Sequence, residues 1–394
     1  MKVQGGVSGY AFSRNPLIAR DEFPLAENPN ETGSFTVDYA NGTTFNGRFT
    51  PPLRLNLADI IDPQVDYFQD AETIDHDTPI FQIEDVGELS CRRMELTASY
   101  DGYESGYGCI IIPGGISKQN YKRLVGRGSD VFLTRFFNFK GNFFLTTRTP
   151  SWRIVMKETE LYPLYFINPE TGTVADIDIV ETATGETWNY TPDVGVYALD
   201  PAHLRRFFVD EFGVLASVFD IYMDSKFAVR LVIERTDPTR ERYRLKFRNS
   251  LGVFEIIEVT GTLTVKPTYE EADDKKFRRY DDTADDYYTG RERLERRRTV
   301  TVNTGTKTPD ETRHIMDLVS SDEVYLLDLT ILPVPVIPTV SDEFTYSPRP
   351  DTPQSFALNL EIAEDETNIM QDIIDGSESQ KQRVFSKQFS KQFN

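Results

Sequence analysis

Thr299-Val300-Thr301-Val302-Asn303-Thr304-Gly305, followed at Thr308 by Thr308-Pro309-Asp310-Glu311, is the stretch on which the reading of the fold turns. Its first six residues alternate β-branched and polar side chains, the period-two pattern of a strand with one buried face. Gly305 is expected to end that strand. The next four residues have the capping-box form: a hydroxyl to accept from the orphan N–H at the third helical position, proline at the first, and a carboxylate that reaches back. A helix is therefore predicted from Thr308, with Ile315, Leu318 and Val319 on one face. Ser320-Ser321-Asp322 breaks it, and strands follow at Glu323–Leu327, Leu332–Val340 and Phe356–Ile362. Pro333, Pro335 and Pro338 cannot donate to a ladder, so the strand that carries them is expected at a sheet edge.

Outward from this strand, helix and three-strand module, the rest of the chain is also rich in strand signals. Turn dipeptides such as Asn41-Gly42 and Thr184-Gly185 separate short alternating runs, including Ser34–Tyr39 and Val174–Glu181, the pattern of a sandwich or barrel. Asp200-Pro201 opens a second helix, with Leu204, Phe207 and Phe208 on its apolar face. The predicted class is mainly β, with two or more sandwich-like domains and a few short helices. An N-terminal β-rich domain is expected over 1–165, and a second β-rich domain with a capped helix over 166–265 and 299–362. Residues 266–298 alternate acidic and basic pairs that cannot build a core, and read as a charged arm joining two strands of one sheet. Residues 363–394 form an extended C-terminal tail in which Phe-Ser-Lys-Gln occurs twice; this places Phe385, Phe389 and Phe393 at spacing four, the stripe of a segment that docks in a groove.

Composition narrows the function. A formal net charge of −20 over 394 residues opposes nucleic acid as the main partner, because phosphates demand basic surface. No run approaches the roughly 18 apolar residues of a membrane span, and the first residues lack the apolar core of a signal peptide, so folding in a cytoplasm is expected. Cys91 and Cys109 are not in a Cys-x-x-Cys pair and read as buried thiols.

Chemistry-bearing motifs are sparse. Asp59–Asp85 is acidic and reads as a solvated loop; a divalent-metal site at Asp75-His76-Asp77 is weighed against it and set aside, because the spaced oxygens and glycine turn of a calcium loop are missing. His76, His203 and His314 sit in unrelated contexts, and neither Gly-x-Ser-x-Gly nor His-Glu-x-x-His occurs. No catalytic residue, cofactor or metal ligand is assigned. The glycine-rich tract Tyr100–Gly108 reads as a hairpin tip, with Tyr100, Tyr103 and Tyr107 as candidate contacts to a glycan or protein partner.

Several phrases resemble uncharacterised tail- or baseplate-type structural virion proteins of tailed bacteriophages and prophages of gut Bacteroidetes. They are Asn142-Phe143-Phe144-Leu145-Thr146-Thr147-Arg148-Thr149, Glu158-Thr159-Glu160-Leu161-Tyr162-Pro163-Leu164-Tyr165, Phe247-Arg248-Asn249-Ser250-Leu251-Gly252-Val253-Phe254-Glu255, and the module from Val302 to Leu326. The resemblance spans roughly Val131–Ile362 and implies a non-enzymatic subunit of a ring-like homo-oligomer. Such a subunit would be made in the host bacterial cytoplasm, be incorporated in the virion, and contact copies of itself and other tail proteins. Two alternatives stand beside it. One is an adhesin that binds host surface glycan through the Tyr100–Tyr107 loop and Trp188; the other is a glycoside hydrolase, which needs only two suitably spaced carboxylates.

Overall fold

The computed structural model describes residues 2–4, 10–21, 23, 32–116, 144–148, 152–169, 174–236, 241–271, 276–291, 294–307, 309–328, 332–340 and 354–362. The chain is mainly β, with few and short helices. It divides into two compact units, residues 1–236 with 248–255, and residues 237–247 with 256–394. The division expected near residue 165 is not where the chain separates. Leu164–Asn168 pairs with Gly195–Leu199, which in turn pairs with Ile80–Glu84. Backbone from both sides of residue 165 thus shares one ladder, and residues 166–236 belong to the first unit.

The first unit contains four sheets. Tyr10–Phe12, Tyr103–Ile112, Arg93–Tyr100, Gly33–Tyr39 and Thr44–Phe49 lie side by side in that order. The last two form a hairpin turned at Asn41-Gly42, where Gly42 takes φ +92° and the Asn41 side chain accepts from Thr43 N at 2.9 Å. Met94, Leu96, Ala98 and Tyr100 alternate inward along one strand and join a core with Phe35, Val37, Leu53, Leu57 and Ile111. Lys2–Gln4, Ile18–Asp21 and Leu53–Asn56 make a small sheet. A second core lies among Ile154, Phe166, Ile179, Phe208, Phe219 and Leu231. It is built by the three-stranded sheet of Ile80–Glu84, a five-stranded sheet centred on Val218–Met223, and the helix Pro201–Phe212. Asp59–Asp85 is not a solvated loop: Phe68, Ala71 and Ile80 are buried, and Glu84 meets Arg92 at 2.5 Å.

In the second unit, Arg242–Arg248, Phe254–Glu271, Leu294–Lys307, Gln354–Ile362, Val334–Val340 and Val324–Leu326 form a closed barrel in that order. The opening module supplies four of these strands, and its helix, Pro309–Val319, places Ile315 and Leu318 in the core beside Val300, Val302, Leu358 and Leu360. Two local expectations are corrected. Gly305 does not end its strand; at φ +70° it sits in a bulge between Asn303 and Thr306, after which pairing resumes to Lys307. The proline strand is not a sheet edge, since it lies between Gln354–Ile362 and Val324–Leu326. The prolines are tolerated because the latter strand is short and reaches only Val334 and Pro335, which leaves one flank of Val336–Val340 without a ladder partner among the described residues.

The ladder of Phe254–Glu271 with Leu294–Lys307 continues past the barrel through Glu271↔Leu294, and Lys276–Asp281 pairs with Asp286–Arg291 beyond it. The charged arm is therefore a β-ribbon that joins two neighbouring strands of one sheet.

Leu360 is fully buried in the barrel, whereas Ile337 is 54% exposed. Leu360→Ala should lower unfolding stability by about 3 kcal/mol through lost burial and a residual cavity, and Ile337→Ala by under about 0.5 kcal/mol, both read by denaturant titration.

Candidate functional site

The most concentrated group of chemistry-bearing side chains lies in the first unit, where the ladder between Ile80–Glu84 and Gly195–Leu199 ends. Leu199 is in register with Ile80, and the next residue, Asp200, donates its N–H to Pro79 O at 2.8 Å. That pairing sets the segment just before Pro79 beside the start of the helix Pro201–Phe212. Asp200 is the helix N-cap; one carboxylate oxygen, Oδ1, accepts from Ala202 N at 2.8 Å, which fixes the side chain, while Oδ2 meets His76. Pro201 occupies the first helical position, and Leu204 and Phe208 anchor the helix in the core. His203, on the same first turn, is thereby carried on rigid backbone.

His76 comes from the other side. Its ring stacks on Phe81 with centroids 3.8 Å apart and planes at 14°. Nδ1 lies 3.0 Å from Ile74 O, and Nε2 lies 3.3 Å from Asp200 Oδ2. The His76 and His203 rings are 5.4 Å apart. One donor atom from each of His76, Asp200 and His203 lies within 4.8 Å of the other two, and all three residues are half-buried. Burial holds the His203 imidazole below its ordinary pKa, with Arg206 and His76 adding to the effect and Asp200 and a hydrogen bond to the Asp77 backbone opposing it. Two imidazoles and a carboxylate converging in this way form a set suited to a borderline divalent metal ion.

The sequence reading assigned no metal ligand, and the one candidate it weighed and set aside, Asp75-His76-Asp77, is not the group that the structure assembles. His76 belongs to the group, but its neighbours Asp75 and Asp77 are exposed and their side chains are not part of it. His76 and His203, read as unrelated, are neighbours in space. The only local hint was the Asp200-Pro201 helix start with a histidine two residues on; its partner lies 124 residues before Asp200 and is brought in by strand pairing alone.

The tyrosine tract forms a hairpin rather than an exposed cluster. Tyr100 and Tyr103 pair across the turn at Asp101-Gly102, but the strand alternation sends Tyr100 into the core at 6% exposure, which removes it as a surface contact. Tyr107 is half-buried and packs against the same core. Tyr103 alone of the three is well exposed. Trp188 packs on Phe207 and Tyr190. A further aromatic group, Trp152 with Phe227, lies exposed on the five-stranded sheet, with Tyr222 against Phe227. Phe385, Phe389 and Phe393 lie outside the described residues.

Two deeply buried carboxylates in the first unit are bound to one arginine. Arg148 contacts Glu160 at 2.9 Å and Glu255 at 3.4 Å, and Glu255 also accepts from Thr146, Thr147 N and Asn249. Burial pushes the Glu255 carboxyl up, against the pull of Arg148 and these hydrogen bonds. All three side chains are almost wholly removed from solvent, so the group acts as an internal tie and not as a cleft for hydrolysis. Among the described residues no helix is long and apolar enough to cross a membrane.

No family model, curated protein or solved structure matches the chain.

The two thiols differ, contrary to the expectation that both are buried: Cys91 is exposed, while burial pushes Cys109 up to about 12. Since the thiolate is the reactive species, a thiol-specific reagent at pH 8 should label one cysteine of the folded protein rapidly, mapped by mass spectrometry to Cys91. Cys109 should react only after unfolding.

Proposed function

We propose that the protein is a structural subunit of a homo-oligomeric assembly, of the tail or baseplate kind that its sequence resembles, and that the charged ribbon is a contact made with a neighbouring subunit. The observation that carries this reading is the ribbon's lack of any core of its own. Lys276–Asp281 and Asp286–Arg291 are fully paired, yet the described side chains from Arg278 to Thr289 are all exposed except Asp281, which is half-buried. Tyr280, Tyr287 and Tyr288 are among them, 42%, 61% and 49% exposed. A two-stranded hairpin is marginally stable by itself in water. Its rings and alternating charges supply what a subunit interface uses, aromatic anchors within a polar rim. The exposed Trp152 and Phe227 beside the edge strand Arg153–Lys157 add a second surface of that type. Made in a bacterial host's cytoplasm and incorporated in a virion, such a subunit would contact copies of itself and other tail proteins. The glycan-binding alternative draws less support, because Tyr100 is in the core and Trp188 is packed against its neighbours.

Light scattering on the purified full-length chain should give a multiple of the 45.1 kDa subunit mass. A variant in which residues 274–291 are replaced by Asn-Gly should remain folded by circular dichroism and fall to the monomer mass. A full-length chain that stays monomeric at assembly concentrations, or a ribbonless variant that assembles as well, would rule out this role for the ribbon.

A further inference from the structure

The geometry points to a second property, independent of assembly: we propose that His76, Asp200 and His203 bind a divalent transition-metal ion of the zinc type, with a remaining coordination position open to water.

The argument begins with a hydrogen-bond conflict. Ile74 O can only accept, so the His76 nitrogen 3.0 Å from it, Nδ1, must carry the hydrogen. In the neutral ring Nε2 then presents a lone pair. It presents that lone pair to Asp200 Oδ2, itself an acceptor, at 3.3 Å. Two acceptors at that distance repel unless a positive charge lies between them, either a proton on Nε2 or a metal ion. The other observations favour the ion.

The separation itself is suitable. Zinc bonds nitrogen and carboxylate oxygen at about 2.0–2.1 Å, and two ligands of one tetrahedral ion then stand about 3.3 Å apart. His76 Nε2 and Asp200 Oδ2 already have that spacing. His203 is the third donor, close enough that a small adjustment of the ring brings it to an ion seated between the other two. A proton shared by His76 and Asp200 gives no reason for a second imidazole to face the same point.

The surrounding contacts are those of a prepared site. Ligating histidines are commonly oriented by a backbone carbonyl on the other nitrogen. Ile74 O does this for His76. Phe81 fixes the His76 ring plane, and Ala202 N fixes the Asp200 carboxylate through its other oxygen. The donors are half-buried, so an ion has a path from solvent. Imidazole nitrogens select zinc-like ions over magnesium or calcium, which take oxygen.

The test uses the full-length chain, stripped with a chelator and titrated with zinc chloride alone by calorimetry and by equilibrium dialysis. One zinc per chain is expected, undiminished by excess magnesium. Asp200→Asn keeps an amide oxygen for the Ala202 N–H and should fold normally, yet bind zinc more than about 100-fold more weakly, beyond the loss usual for outer-shell changes. His203→Gln should show the same loss. Cobalt in place of zinc should give visible absorption bands of a four- or five-coordinate ion with the wild type and not with Asp200→Asn. Sub-stoichiometric zinc in the wild type would overturn the proposal. Equal affinity in both variants would overturn it in favour of scattered surface carboxylates, which a chain of net charge −20 has in abundance.

Discussion

The ladder between Phe254–Glu271 and Leu294–Lys307 performs two tasks with one set of backbone hydrogen bonds. Over its barrel portion it places Val259, Val300 and Val302 toward a shared interior and lets the sheet close, so that strand edges are removed rather than covered. Beyond that portion the same two strands keep their register from Pro267↔Arg298 to Glu271↔Leu294, where the sequence becomes charged and offers no apolar face to bury. The ribbon therefore derives its order from the barrel. Cooperative pairing extends it into solvent, while the barrel core provides the stability that a free hairpin lacks.

A comparable economy governs the histidine pair in the first unit. One antiparallel ladder ends at Leu199↔Ile80, and the helix begins directly afterwards because Asp-Pro is a strong start signal. The capping carboxylate uses one oxygen for the helix, which leaves the second for another contact. Whatever segment the ladder brings alongside meets that oxygen. Here it is His76, whose stacking on Phe81 prevents it from turning aside.

Local chemistry in the sequence predicts local structure well. The strand alternation from Thr299, the helix after Thr308, the helix after Asp200 and the turns at Asn41-Gly42 and Thr184-Gly185 all reappear in the structure, because each depends on residues within one turn or one pleat of each other. The failures concern long-range pairing. Nothing near residue 165 shows that Leu164–Asn168 shares a sheet with Ile80–Glu84, and nothing near Pro335 shows that its strand is enclosed in a barrel. The acidic composition of Asp59–Asp85 hid Phe68 and Ile80, which are buried because tertiary packing outweighs local charge. Tyr100 was misjudged for a related reason: it was read at an exposed hairpin tip, but its position in the alternation with Met94, Leu96 and Ala98 decides its direction. Of the group His76, Asp200 and His203, His76 was weighed with the wrong neighbours, since the residues beside it in space are distant in sequence.

The prolines of Val334–Val340 give the barrel an uneven wall. Val324–Leu326 joins Arg242–Arg248 through three residue pairs and the proline strand through two, whereas the opposite side is held by the long ladder at the root of the ribbon. A cylinder riveted so unequally behaves as a hinge and a latch. Thermal opening begins at the short strand, where few hydrogen bonds must break together, while the strands that support the ribbon stay zipped. The ribbon's foundation is then the last part of the barrel to loosen, so a pull on the arm is borne by the most strongly paired strands.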